Sequence, residues 1–137
     1  MMRVIALGFL ALIVAGCSVG ADTTAAEQQV DVFHDRLNAG SFDEICVDTS
    51  PAFQHAGNSA EFKKLLDAIH RKLGQTIGAT RKGWNIYATL NGTFVNLTYA
   101  TTFDRGPATE TFTYLVTEGA RPVLNGYNIS SVAMMTN

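Results

Sequence analysis

The imidazoles and thiols with which this chain could ligate a metal or attack a substrate are few: His34, His55 and His70, with Cys17 and Cys46. Cys46, His34 and His55 do not fall at ligand spacing, so a metal site has no motif behind it. No Ser/His/Asp signature or phosphate-cradling glycine loop occurs. General acid–base work would need a carboxylate pair or a His/carboxylate pair turned into an apolar interior, where burial shifts the pKa. The nearest charges are Lys82 and Glu110, which the strand pattern derived below places beside Thr101 near a sheet rim, as a surface ion pair. These residues predict no catalytic, metal or cofactor site. The aromatic residues offer another chemistry. Trp84, Tyr99 and Tyr114, with His34 nearby, are candidates to line a small apolar pocket, since a tyrosine hydroxyl turned inward needs a partner. Cys46 reads as a small buried hydrophobe, with a redox-reactive or intermolecular thiol as the alternative.

Cys17 is set apart by what precedes it. Arg3 opens the segment MMRVIALGFLALIVAGCS, and Val4 to Val14 are uninterrupted apolar residues. A bilayer span takes roughly 20 such residues, so residues 1–16 read as a secretory signal and not as a membrane anchor. Val14-Ala15-Gly16-Cys17 resembles the bacterial lipobox, in which the thiol receives a diacylglyceryl group and the cysteine becomes the acylated N-terminus. That resemblance implies attachment to a membrane through Cys17 by two or three chains. Each buried methylene contributes about 0.8 kcal/mol, so anchoring by more than one chain is stable. In enterobacterial lipoproteins an aspartate after the cysteine favours the inner membrane; Ser18 here favours the outer one, facing the periplasm. Residues 17–23 are expected to form the acylated cysteine and a flexible tether, and residues 24–137 a single domain.

Removing sixteen of the 137 residues leaves 121, enough for one real core. Loss of Arg3 from ten basic residues leaves nine against twelve acidic ones, a net of −3. With no basic run or basic–aromatic interleaving, nucleic acid is not an expected partner. If Cys17 carries lipid, Cys46 has no disulfide partner, and the domain must be held by its core. The sequons at Asn91, Asn96 and Asn128 read as turn and strand residues.

Thr24-Ala-Ala-Glu27 has capping-box spacing, and Ala26, Val30, Phe33 and Leu37 recur with helical period before Asn38-Ala39-Gly40. Ser41-Phe-Asp-Glu44 opens a second helix with Phe42, Ile45 and Cys46 inward, and Ser50-Pro51 breaks the chain. A third helix begins at Asn58 or Ser59, carries Phe62, Leu65, Leu66, Ile69 and Leu73 on one stripe, and stops at Gly74. The period then becomes 2. With Asn91-Gly92 as a two-residue turn, Trp84 pairs with Tyr99, Ile86 with Leu97 and Ala88 with Val95. A four-residue loop between Phe103 and Ala108 pairs Tyr99 with Phe112, Leu97 with Tyr114 and Val95 with Val116. The resulting sheet has one buried face and one Thr/Asn-rich face. A fourth strand spans about 122–131, with a bulge at Gly126, and the tail SVAMMTN extends it or frays.

Three helices before a four-stranded antiparallel meander resemble the cystatin-like and nuclear-transport-factor-like folds. LNAGSFDE (37–44), SPAF (50–53), FKKLLDAIHRKLG (62–74), TYATTFDRGPATETFTY (98–114) and NGYNI (125–129) are similar to segments of small bacterial lipoprotein families of unknown function. Arg121-Pro122 departs from that pattern, which tends to place a tryptophan before the last strand. The expected fold class is α+β, three N-terminal helices packed on the inner face of a curled four-stranded antiparallel sheet. The expected role is a non-enzymatic, lipid-anchored interaction or accessory domain, whose partner is an envelope protein or a second copy. The alternative is a carrier or sensor of a small apolar ligand.

Overall fold

A computed structural model describes residues 19–137 of the chain. Cys17 and the expected signal segment lie outside the described residues. The fold is α+β: helices α1 (Val19–Asn38), α2 (Phe42–Val47), α3 (Pro51–His55) and α4 (Ser59–Leu73) precede a meander of β1 (Thr76–Thr89), β2 (Gly92–Phe103), β3 (Gly106–Val116) and β4 (Val123–Ser130). The sheet is antiparallel with spatial order β1-β2-β3-β4. A short helix α5 (Val132–Thr136), capped by Ser131 Oγ accepting from Met134 N–H, takes the tail expected to extend β4 or fray. The helices cover the inner sheet face. Val30, Phe33 and Leu37 of α1 and Phe62, Leu66, Ile69 and Leu73 of α4 meet Val95, Leu97, Phe112 and Leu124 in one buried cluster.

Local chemistry explains the departures from the sequence reading. Helix α1 starts at Val19, so Val19–Thr23 is helix and not tether, and Thr24 is not its cap. Glu27, which the capping box would have used at a helix start, reaches across to Arg81 on β1. Ser50-Pro51 starts a helical turn as well as ending one. Proline fits the first helical position, and Ser50 Oγ accepts from Phe53 N–H at 3.2 Å. Ser50 Oγ also donates to Asn125 Oδ1 at 2.6 Å, and Ser50 N–H donates to Leu124 O at 2.8 Å. Those bonds pin a bulge in β4 at Asn125, where two β4 residues meet the Thr113/Tyr114 step; the sequence reading put it at Gly126.

Both predicted strand registers are displaced by two residues. The first turn is Leu90-Asn91, closed by Thr89 opposite Gly92, and pairs Trp84 with Leu97 and Ile86 with Val95. The second is Asp104-Arg105, closed by Phe103 opposite Gly106, and pairs Tyr99 with Glu110, Leu97 with Phe112 and Val95 with Tyr114. Gly92 and Gly106, at φ 131° and 145°, take the strand-entry positions behind each turn, backbone that other residues rarely adopt. A shift of two keeps every side chain on its face and moves it one row along. The buried face was therefore right and its rows were wrong. β1 also carries two irregularities, at Ile77 and Lys82, where one residue drops out of the pairing with β2.

Candidate functional site

The displaced register matters most at Glu110. One row deeper than expected, it lies opposite Tyr99, beneath α1, and is 0% exposed. Its partners come from three other elements. His34 Nε2 of α1 lies 2.7 Å from Oε1, and Thr101 of β2 donates to the same oxygen at 2.5 Å. Tyr127 of β4 donates to Oε2 at 2.5 Å. An ionised carboxylate only accepts, so this bond requires the donor to be His34 Nε2–H. The expected surface pair of Lys82 and Glu110 does not form: Lys82 sits in the β1 bulge and is exposed. The premise that no inward acid–base pair exists is thereby corrected, because His34 and Glu110 are one.

The surroundings decide what that pair can do. His34 is only 7% exposed, and its ring packs edge-on to Phe33 and Phe112. Burial, with the Glu110 charge behind it, holds the Tyr127 hydroxyl well above the usual phenol range, so it stays a donor. Both Glu110 oxygens are occupied by side chains of the protein itself. A general base must lie within hydrogen-bond reach of a substrate proton, and neither Glu110 oxygen is left free for one; of the pair, only His34 borders an open space. The geometry is that of a clasp joining α1, β2, β3 and β4. His34 also borders a polar cleft of about 310 Å³ between α1 and the start of β1, which it lines with Asp31, Asp35, Asn38 and Thr76. Asn38 closes its floor by donating to Thr76 Oγ1 and accepting from Thr76 N–H, both at 2.8 Å.

The four residues expected around an apolar pocket are not gathered round one. Tyr99 and Tyr114 are core residues, and His34 is held by Glu110. Burial pushes the Tyr99 hydroxyl up to about 12, helped by Glu27 and Asp31, and lifts Tyr114 well above its ordinary value. Trp84 shares their face but is 51% exposed, beyond the helices. The cavity beside Tyr114, lined by Phe33, Ile45 and Leu124 among others, holds about 20 Å³, room for about one water and not for a ligand.

The other candidates stand apart. Cys46 is buried with Sγ 3.8 Å from Ser59 O, and burial, with Asp43 behind it, raises its thiol pKa, which favours the inert protonated form. His55 is exposed on α3, and His70 packs edge-on to Phe42. No group of three metal-ligating side chains occurs among the described residues. On the outer sheet face Asn96 donates to Asn85 at 2.8 Å and accepts from Thr113 at 2.6 Å, a polar ladder across three strands.

Sequence reasoning missed Asp48. Arg121 grips it with two bonds, at 2.5 and 2.7 Å, and Arg36 adds a third at 2.9 Å. Burial alone would raise this carboxyl, but the two guanidiniums outweigh it and hold the pKa below the ordinary aspartate value. The arginine found where a tryptophan was the expected pattern thus ties the β3–β4 turn to α2. Compared with known proteins, the chain matches no family model and no curated protein sequence.

Proposed function

We propose that this chain is a bacterial lipoprotein, held at Cys17 on the outer membrane and facing the periplasm, whose domain is a non-enzymatic interaction or accessory module. The observation that carries the domain's part is the packed inner face: the sheet and helices enclose aromatic side chains and a fully partnered carboxylate, and the cavity beside Tyr114 holds only about 20 Å³. The anchor rests on the sequence around Cys17. A domain closed inside works through its outside, and the Thr/Asn-rich outer sheet face offers hydrogen-bonding groups to an envelope protein or a second copy. Its resemblance to small lipoprotein families and to cystatin-like folds is in keeping with this role.

The test is site-specific photo-crosslinking in living cells, with the crosslinker at exposed Asn128 on the outer face and, as a control, at exposed Lys64 on α4. A discrete adduct from Asn128 and none from Lys64 is the expected result. Absence of any adduct, with a small molecule retained in native mass spectra of the purified protein, would contradict the reading and favour a carrier.

A further inference from the structure

Among the described residues, one end of the sheet has no helical cover, and the hairpin there carries no charge. Gly83 to Phe103 contains no charged residue, and this run supplies the β1–β2 hairpin. Apolar groups appear on both of its faces. Trp84 and Ile86 lie on the inner face, while Tyr87 and Phe94 stack on the outer one with ring centroids 5.2 Å apart. Leu90 at the turn is wholly exposed, Trp84 is 51% and Tyr87 47% exposed. Aromatic residues with one polar edge are the groups enriched where a bilayer meets water.

The position of this hairpin relative to Cys17 follows from two contacts. Asn38, at the end of α1, binds Thr76 at the start of β1, and Glu27 pairs with Arg81 farther along. The N-terminus of α1 therefore points toward the hairpin. From Glu27 back to Val19 the helix covers about 12 Å, whereas from Arg81 to Thr89 the strand covers about 26 Å. Trp84 is level with the helix start, and the turn reaches roughly 14 Å beyond it. Cys17 precedes Val19 by two residues, so an extended chain carries it at most about 7 Å from that point. Acyl chains on Cys17 bring the bilayer surface to the end of the molecule from which the hairpin projects.

From this placement we infer that the β1–β2 hairpin is a second membrane contact, with Trp84, Tyr87 and Leu90 seated among the phospholipid headgroups beside the lipid anchor. The inference rests on the proposed acylation of Cys17. The hairpin stops at the headgroup layer, because β1 is an edge strand whose outward backbone groups need water or headgroup partners. Exposed Lys82, directly before the uncharged run, faces the level of the lipid phosphates. Contact at two points fixes the orientation of the domain and turns the opposite, charged end toward the periplasm.

Trp84 is the single tryptophan of the sequence, so it reports on itself. The acylated, full-length mature protein is reconstituted into phosphatidylethanolamine/phosphatidylglycerol vesicles, with or without bromine near the headgroup end of the acyl chains. Intact mass on the same sample gives the acylation state. The expected result is an acylated protein whose emission shifts to the blue and is lost to brominated lipid. Leu90→Trp in a Trp84→Phe background should be quenched more strongly. Acylated protein with water-exposed, unquenched Trp84 overturns the inference while leaving the anchor standing. A blue shift without bromine quenching overturns it in favour of a second copy or a protein partner on the β1 edge. Protein without acyl mass overturns both.

Discussion

The two hairpin turns at opposite ends of this sheet have the same length and opposite fates. Asp104-Arg105 is docked on the end of α4: Arg105 N–H donates to Leu73 O at 3.0 Å, its guanidinium donates to Arg71 O at 2.7 Å, and Asp104 Oδ2 accepts from Gln75 N–H at 2.8 Å. The turn thus satisfies carbonyls that α4 leaves open at its C-terminus. Leu90-Asn91 makes its bonds within itself, Asn91 N–H to Thr89 Oγ1 at 3.1 Å and Thr89 Oγ1 to Gly92 O at 3.1 Å. One turn is charged and tied to the helices; the other is uncharged and exposes Leu90. The difference separates residues that hold the fold from residues left available to something outside it.

If that division is right, substitutions at the covered end should cost stability and those at the bare end should not. The largest effect is expected at Glu110. Glu110→Ala strips partners from buried His34 and Thr101 and from half-buried Tyr127, and should destabilise by about 3–5 kcal/mol in denaturant titration. Glu110→Gln, which keeps the shape, should cost less, about 1–3 kcal/mol. A loss below about 1 kcal/mol for the alanine variant would mean that the clasp is not structural and would return the pair to consideration as chemistry.

Next comes Gly74, which ends α4 at φ 78° with Asp104 packed against it; an added Cβ would lie 2.7 Å from Asp104 Oδ2. Gly74→Ala should lower stability by about 1–3 kcal/mol, from positive-φ strain and displacement of the docked turn. Alkaline pH probes the tyrosines of the covered face. Tyr99 rises from 10.0 to about 12 on folding, so its contribution is whole below pH 10 and is lost as pH climbs toward 12. Stability measured across that window should fall, and Tyr99→Phe should flatten part of the fall. The smallest effect is expected at the bare turn: Leu90→Asp should change stability by less than about 0.5 kcal/mol. A cost as large as that of Gly74→Ala would show the hairpin to be integral to the fold.

The helices and the buried face were legible because apolar period survives local error. Phe62, Leu66, Ile69 and Leu73 form a stripe whatever residue begins α4, and all four are buried. Rows were not legible, because Leu90-Asn91 or Asn91-Gly92 could serve as the first turn and a two- or four-residue loop after Phe103 as the second, and each choice leaves the same residues facing inward. That ambiguity hid the clasp. Glu110 had the right face in the sequence, but a register two residues off left it at the rim, away from Tyr99 and α1. His34 showed a helical position and no partner, since its partner lies 76 residues on. Trp84 looked like core by alternation; its exposure depends on where α1 ends, and strand pattern holds no record of that. Asp48 escaped notice because both of its arginines are remote in sequence.

The central claim is that this domain works at a membrane through lipid on one sulfur, and Cys17→Ser tests it most directly. Expressed in the native host and fractionated, the wild-type chain should sediment with membranes at a mature mass carrying two or three acyl chains. The variant should lose that added mass and leave the membrane fraction. A variant that remains membrane-bound at the wild-type mature mass would contradict the account.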